Sequence, residues 1–344
     1  MRLSASPLVN PPLPKSAIIL PSYPFELVYG DDLAAVIDRE TFLLHAPTSV
    51  EALTEADVAW LSQVEVLFTG WGGPRLDAAF LDRMPALRAV FHAGGTVRMI
   101  VTDEFWERDI VLTTAASANA APVAEFTFAT IVLALKRAWH QARVVRELRS
   151  FPQPALPVAG ALGSTVGIVS LGRIARMVCD RLQSLEVEIL AYDPVVGDGL
   201  FVELGTRAAS LSDLFARSDV VSIHAPWLPE TEGLITGDLI RRMKHGATLI
   251  NTARGAVIDE AQLCEVLRER PDLQAVLDVT SPEPPAPDSP LYELPNVFLT
   301  PHIAGSQGRE CRRIGRWVID DFRRYVRGES LREQVTRAMA LRLA

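Results

Sequence analysis

Short β-branched runs alternate with helical stretches along most of this 344-residue chain, and no other feature constrains its fold as strongly. Parallel strands need a crossover between them, and the crossover is usually a helix that packs back on the sheet. Two such series are visible. In the first, Ala17–Leu20, Val64–Phe68, Leu87–Phe91 and Ile110–Thr113 read as strands, with helices predicted over 31–39, 52–62, 76–83 and 98–108. A long helical stretch from Ala121 to Leu148 follows, with Pro122 suited to a first helical turn. Phe151–Pro157 reads as a connector. The second series predicts six strands: Val166–Val169, Val187–Ala191, Val220–His224, Thr248–Asn251, Ala275–Asp278 and Val297–Leu299. Six is the number in a dinucleotide-binding sheet built from two halves. A last helix is predicted from about Arg309 to Val326.

Composition removes several classes. Hydrophobic residues make up 49% and charged residues 22%, so disordered and collagenous chains are excluded. The net charge is −8 and no basic run exceeds short Arg pairs, which argues against a nucleic-acid partner. Cys179, Cys264 and Cys311 are far apart and have no metal-ligand spacing. They read as reduced thiols, which points to a cytoplasmic protein with no metal site. The first fourteen residues hold four prolines and no apolar signal core, so no secretory signal is expected. The apolar run Phe126–Leu135 is shorter than the ~20 residues of a membrane span and reads as a buried helix.

The segment Val166 to Ala175 runs from a strand through a tight turn into a helix. Such a turn lets backbone N–H groups and a helix N-terminus receive a pyrophosphate. The usual Gly-x-Gly-x-x-Gly/Ala reads here as Ser170-x-Gly172-x-x-Ala175. Gly172 keeps the position of close phosphate approach, with Arg173 and Ile174 opening the helix. Ser170 departs from the pattern. A second strand ends at Asp193, 21 residues after Gly172, close to the ~20 expected of a carboxylate that binds the adenosine ribose. That carboxylate repels a 2′-phosphate, so NAD is favoured over NADP.

Four later blocks resemble the D-isomer-specific 2-hydroxyacid dehydrogenases. They are Val221-Ser222-Ile223-His224-Ala225-Pro226, Leu249-Ile250-Asn251-Thr252-Ala253-Arg254-Gly255, Leu277-Asp278-Val279 with Pro282-Glu283-Pro284, and Leu299-Thr300-Pro301-His302-Ile303-Ala304-Gly305. They stand in the family's order and spacing, and the match covers about Asn119 to Gly305. The resemblance implies that Arg254 binds the substrate carboxylate and polarises the 2-keto oxygen. It implies that His302 is the general acid and base, with Glu283 on its other ring nitrogen. Asp278 would contact the nicotinamide carboxamide. Ser170, Gly172, Arg173, Ile174, Asp193, His224, Ala225, Pro226, Thr231, Thr252, Ala253 and Gly305 would complete the cofactor site, and Gly95 and Thr96 would offer amides to the substrate.

The family's architecture is a Rossmann-type NAD-binding domain inserted into a smaller flavodoxin-like α/β substrate domain. Here that implies a substrate domain of 1–119 plus 307–344 and a cofactor domain of 120–306. The implied assembly is a homodimer built around 119–148. Departures from the family pattern fall at Gly95–Ile100, at Trp227 and over Trp139–Ala161. The reading is a hydride transfer between NAD(H) and C2 of a small 2-hydroxy or 2-keto acid. Two alternatives share the motifs: an NAD-sensing, corepressor-like protein and an NADPH-linked glyoxylate or hydroxypyruvate reductase. A short-chain dehydrogenase is excluded, because Pro11, Val132 and Ile240 stand where its Tyr-x-x-x-Lys needs tyrosine.

Overall fold

The computed structural model describes residues 12–154 and 158–340. Most of the proline-rich start and the Ala155–Pro157 end of the connector lie outside the described residues. The chain divides into two compact units. One comprises the residues up to Ala118 together with those from Gly308 onward, and the other is Asn119–Gln307.

The first unit holds a five-stranded sheet of β1 (Lys15–Ile18), β2 (Phe42–Leu43), β3 (Val66–Gly70), β4 (Ala89–Ala93) and β5 (Val111–Thr114). Its order is β2-β1-β3-β4-β5 and every pairing is parallel, which is the flavodoxin-like arrangement. β3 and β4 are buried throughout, as expected of central strands covered on both faces. Helix Arg309–Val326 belongs to this unit because one of its faces is apolar. Ile314, Val318, Ile319 and Phe322 recur at helical spacing and join the core beside Phe68 and Phe91. The three phenylalanine rings lie 5.3–5.6 Å apart, and each buried ring contributes about 1.5–3 kcal/mol.

The second unit holds a seven-stranded sheet of β6 (Thr165–Val169), β7 (Glu188–Tyr192), β8 (Arg207–Ala208), β9 (Val220–Ile223), β10 (Thr248–Asn251), β11 (Gln274–Leu277) and β12 (Val297–Leu299). The order β12-β11-β10-β9-β6-β7-β8 is the Rossmann order with one further strand, and all pairings are parallel. The order reverses between β6 and β9. Ligands of such sheets bind outside the carboxyl ends of the strands at that reversal.

Several boundaries differ from the sequence expectation. The second series has seven strands rather than six, because β8 is only two residues long and exposes both side chains. β2 escaped for the same reason of length. The helix expected over 31–39 is preceded by another, so that Ser22–Val28 and Gly30–Glu40 lie end to end. The stretch 52–62 is two 3-10 turns and a short helix, Val58–Leu61. The helices expected over 76–83 and 98–108 shrink to Ala78–Asp82 and Asp103–Trp106.

The long helical stretch is two helices, Ala116–Leu135 and Ala138–Leu148. They part at Arg137, whose φ of 51° is left-handed and whose buried guanidinium donates to the carbonyls of Gly246 and Asp272. Pro122 lies inside the first helix and not in its first turn, because Ala116, Ser117 and Ala118 extend the helix backwards. That extension makes Ala116–Leu135 long and apolar enough to cross a membrane by length and composition, contrary to the shorter run expected. Its Ala124, Ile131, Ala134 and Leu135 are buried against Val166 and Ile168 in the core of the second unit.

Candidate active site

The loop after β6 departs from ordinary backbone at one residue. Ser170 has φ 73°, the left-handed region that normally selects glycine. Gly172 has an ordinary φ of −66°, and a Cβ there would meet nothing within 4 Å. Neither backbone conformation nor packing among the described residues asks for glycine at 172. The open space in front of Gly172 fits a pyrophosphate cradle, where backbone has to approach an external group closely. Arg173 opens the helix Arg173–Leu182, and a cavity of about 440 Å³ is lined by Arg173, Arg176 and Met177. Ile174 follows on the same helix, half-buried.

Asp193, just past β7, closes this loop. Its Oδ2 accepts Leu171 N at 2.7 Å and Ser170 Oγ at 3.3 Å. Its Oδ1 accepts Val195 N at 2.8 Å and Val196 N at 3.3 Å.

His224 ends the run after β9. Its Nε2 lies 3.0 Å from Ser222 Oγ, and burial pushes its pKa down to about 4, so the ring is neutral. Ala225 is buried beside it. Thr231 staples the turn that follows: its hydroxyl donates to Pro226 O at 2.5 Å and accepts Leu228 N at 2.9 Å. The neighbouring Trp227 donates Nε1 to Glu232 at 3.1 Å.

The loops after β10, β11 and β12 carry Arg254, Glu283 and His302, the three side chains expected to act on substrate. Asn251 shapes the first loop, donating Nδ2 to Arg254 O and accepting Ala253 N. Thr252 lies 2.8 Å from the hydroxyl of Thr127. Gly255 lets this loop approach the next one, since a Cβ there would stand 2.0 Å from the Thr280 backbone. Burial lowers the pKa of Arg254, opposed by the charge of Glu283, and a guanidinium stays protonated through any such shift.

His302 also sits at positive φ, 54°, and its Nδ1 lies 2.6 Å from Glu283 Oε1. The buried carboxylate of Asp278 fixes this bend. It accepts Thr300 Oγ1 at 2.5 Å, Ile303 N at 2.9 Å and Ala304 N at 2.8 Å, while its carbonyl accepts His302 N. Gly305 packs on Asn119, whose Oδ1 accepts Ser306 N.

Glu283 and His302 are therefore brought into direct contact, with Arg254 close enough to feel the Glu283 charge. Gly95 and Thr96 belong to the other unit, in the turn after β4. There Gly94 leaves room for His92, since a Cβ would stand 2.4 Å from its ring and one of the two would have to shift. Asn251, Thr300, Asn119 and Gly255 had no assigned role from sequence. Asn251 and Asn119 hold backbone, Gly255 lets backbone approach and Thr300 donates to the Asp278 carboxylate; Asn251, Gly255 and Thr300 lie inside the motif blocks, and Asn119 lies outside them.

A doubly wound sheet with a glycine loop at its reversal and an acid after its second strand is the arrangement of a dinucleotide-binding domain. The comparisons agree. The profile described as "D-isomer specific 2-hydroxyacid dehydrogenase, NAD binding domain" matches residues 128–304. The chain is 36% identical over 251 residues to (S)-sulfolactate dehydrogenase of Chromohalobacter salexigens, covering 73% of this chain and 81% of that one. It is 33% identical over 261 residues to D-3-phosphoglycerate dehydrogenase of Archaeoglobus fulgidus, covering 76% of this chain and 49% of that one. It thus spans about half the length of the curated phosphoglycerate dehydrogenases it matches. Its fold matches the NAD-complexed D-isomer specific 2-hydroxyacid dehydrogenase of Lactobacillus delbrueckii with a TM-score of 0.76 at 21% identity, over 93% of this chain and 100% of that one. This chain belongs to the D-isomer specific 2-hydroxyacid dehydrogenase family and carries its NAD-binding domain.

Proposed function

We propose that this protein is a cytoplasmic oxidoreductase moving a hydride between NAD(H) and C2 of a small 2-hydroxy or 2-keto acid. The observation that carries the reading is the 2.6 Å contact between His302 Nδ1 and Glu283 Oε1, beside Arg254. Bound NAD(H) supplies the hydride chemistry. Arg254 holds the substrate carboxylate and polarises the keto oxygen with its planar fork. His302 directs Nδ1–H to Glu283, which leaves Nε2 to give a proton to the oxygen in reduction and to take it in oxidation. Glu283 fixes the ring and offsets the imidazolium charge.

The pyrophosphate is assigned to the loop at Ser170 and Gly172 and to the helix start at Arg173 and Ile174. The adenosine ribose is assigned to Asp193. His224, Ala225, Pro226, Thr231, Thr252, Ala253 and Gly305 are assigned to the nicotinamide half, with Asp278 on the carboxamide. The amides of Gly95 and Thr96 are assigned to the substrate carboxylate, within a substrate domain of 1–119 plus 307–344. The cofactor domain is assigned to 120–306. A homodimer built on 119–148 is supported by helix Ala138–Leu148, which buries no residue of its own and ends at exposed Leu148.

The test is NADH consumption with glyoxylate, hydroxypyruvate, pyruvate, 2-ketobutyrate and phenylpyruvate, with NADPH in parallel. (S)-Sulfolactate and D-3-phosphoglycerate are run in the oxidative direction, because relatives carry those names. Turnover of at least one acid, faster with NADH, is expected. Silence across the panel with NADH still bound would replace the enzyme by an NAD sensor. Equal rates with NADPH would remove Asp193 from the ribose.

A further inference from the structure

The first position of the phosphate loop carries a side chain where glycine is usual, and that side chain has a definite contact. Ser170 accepts a left-handed backbone, φ 73°, and places its hydroxyl 3.3 Å from Asp193 Oδ2. Leu171 N shares that oxygen at 2.7 Å, while Val195 N and Val196 N take Oδ1 at 2.8 Å and 3.3 Å. An ionised carboxylate offers about four lone-pair positions, and four donors of the chain fill them. A ribose diol needs two. The amides of Leu171 and Val195 are short contacts of the loop itself. Of the two longer contacts, Val196 N is backbone, whereas Ser170 Oγ leaves by rotation about one side-chain bond.

We propose that the Ser170 hydroxyl is an internal stand-in for a ribose hydroxyl, competing with the adenosine ribose for Asp193 and lowering affinity for NADH selectively. NADPH carries an anionic phosphate on its 2′-oxygen, which offers the carboxylate repulsion rather than a hydrogen bond, so it gains nothing from a vacated lone pair. The inference rests on Asp193 as the ribose acceptor, and the experiment separates the two.

NADH and NADPH are titrated by fluorescence against the full chain, with Ser170→Ala, Ser170→Gly, Asp193→Ala and the Ser170→Ala/Asp193→Ala double variant. Thermal unfolding of each variant checks that it is folded. Ser170→Ala keeps the Cβ and removes only the hydroxyl. It is expected to bind NADH about three- to tenfold more tightly, as for release of one weak hydrogen bond, with NADPH unmoved. Ser170→Gly moves the same way and relieves the backbone. The gain vanishes in the double variant, because the competition needs Asp193. Unchanged or weaker NADH binding in both Ser170 variants overturns the stand-in, as does an equal gain for NADPH. Asp193→Ala binding NADH as tightly as the parent overturns the ribose reading itself, and the stand-in with it.

Discussion

Two strand ends of the seven-stranded sheet carry a histidine, and they are built in opposite ways. His224 follows β9, rests on the hydroxyl of Ser222 and is held neutral by burial, its pKa pushed down to about 4. His302 follows β12, is 50% exposed at its side chain and has a carboxylate 2.6 Å from Nδ1. An imidazolium at 302 has a counter-ion, and one at 224 has only a dipole. The residue type is the same on both loops, so if His302 carries the proton as proposed, the partner and the solvent access are what distinguish it from His224.

The sharpest way to break that contrast is to remove each ring in turn. His302→Asn is expected to lower kcat by about 10²–10⁴-fold, the usual worth of a positioned general acid–base group. Its NADH affinity should stay near the parent value in a fluorescence titration. His224→Asn should leave kcat far less affected. Comparable losses from the two substitutions would show that position on the sheet edge, and not the carboxylate partner, makes the role.

What the sequence displays and what it hides follow the same division. The runs forming β6, β9, β10 and β11 are buried throughout and those of β7 and β12 are mostly apolar, so alternation with helices reveals them. β2 and β8 pair through two residues each, which leaves no hydrophobic pattern. The break at Arg137 is set by the carbonyls of Gly246 and Asp272, more than a hundred residues away in the chain. At the site, Arg254, Glu283 and His302 stand out because they fall in motif blocks that resemble the family's in order and spacing, and the fold brings Glu283 and His302 into contact. Asp278 was read toward the cofactor, yet its carboxylate also anchors the loop that aims His302. Hydrogen bonds to backbone N–H leave no residue pattern, so supports of this kind stay hidden until the fold places them.

Acid should expose a second version of the contrast. His92, in the first unit, is only 2% exposed and has an unpartnered Nδ1, and burial lowers its pKa to about 4 although the Thr96 backbone pulls it up. Its folded value lies below the ~6.5 of the unfolded chain, so the unfolded state binds more protons between those values. The stabilisation is complete above about pH 6.5 and is lost as pH falls toward 4. By pH 5 the loss is about 2 kcal/mol for a fully buried ring such as His92, and smaller for the partly accessible His224. Urea unfolding at pH 7 and pH 5 measures it. A His92→Gln variant should lose visibly less between the two, and an equal loss would clear His92 of the effect.

The smallest effect isolates the charge in the Glu283–His302 contact. Glu283→Gln keeps an oxygen acceptor for Nδ1–H, so the ring can remain oriented. What disappears is the counter-ion to the imidazolium. A charge-assisted hydrogen bond exceeds a neutral one by about 1–2 kcal/mol, so kcat should fall about tenfold, well short of the His302→Asn loss. KM for the keto acid should hold if Arg254 binds the carboxylate as proposed, since that contact does not depend on the proton. Steady-state kinetics with the best acid of the panel separates the two constants. If Glu283→Gln costs as much as His302→Asn, the carboxylate acts as more than a counter-ion to the ring. If it costs nothing, orientation alone distinguishes His302 from His224, and the contrast between them rests on solvent access.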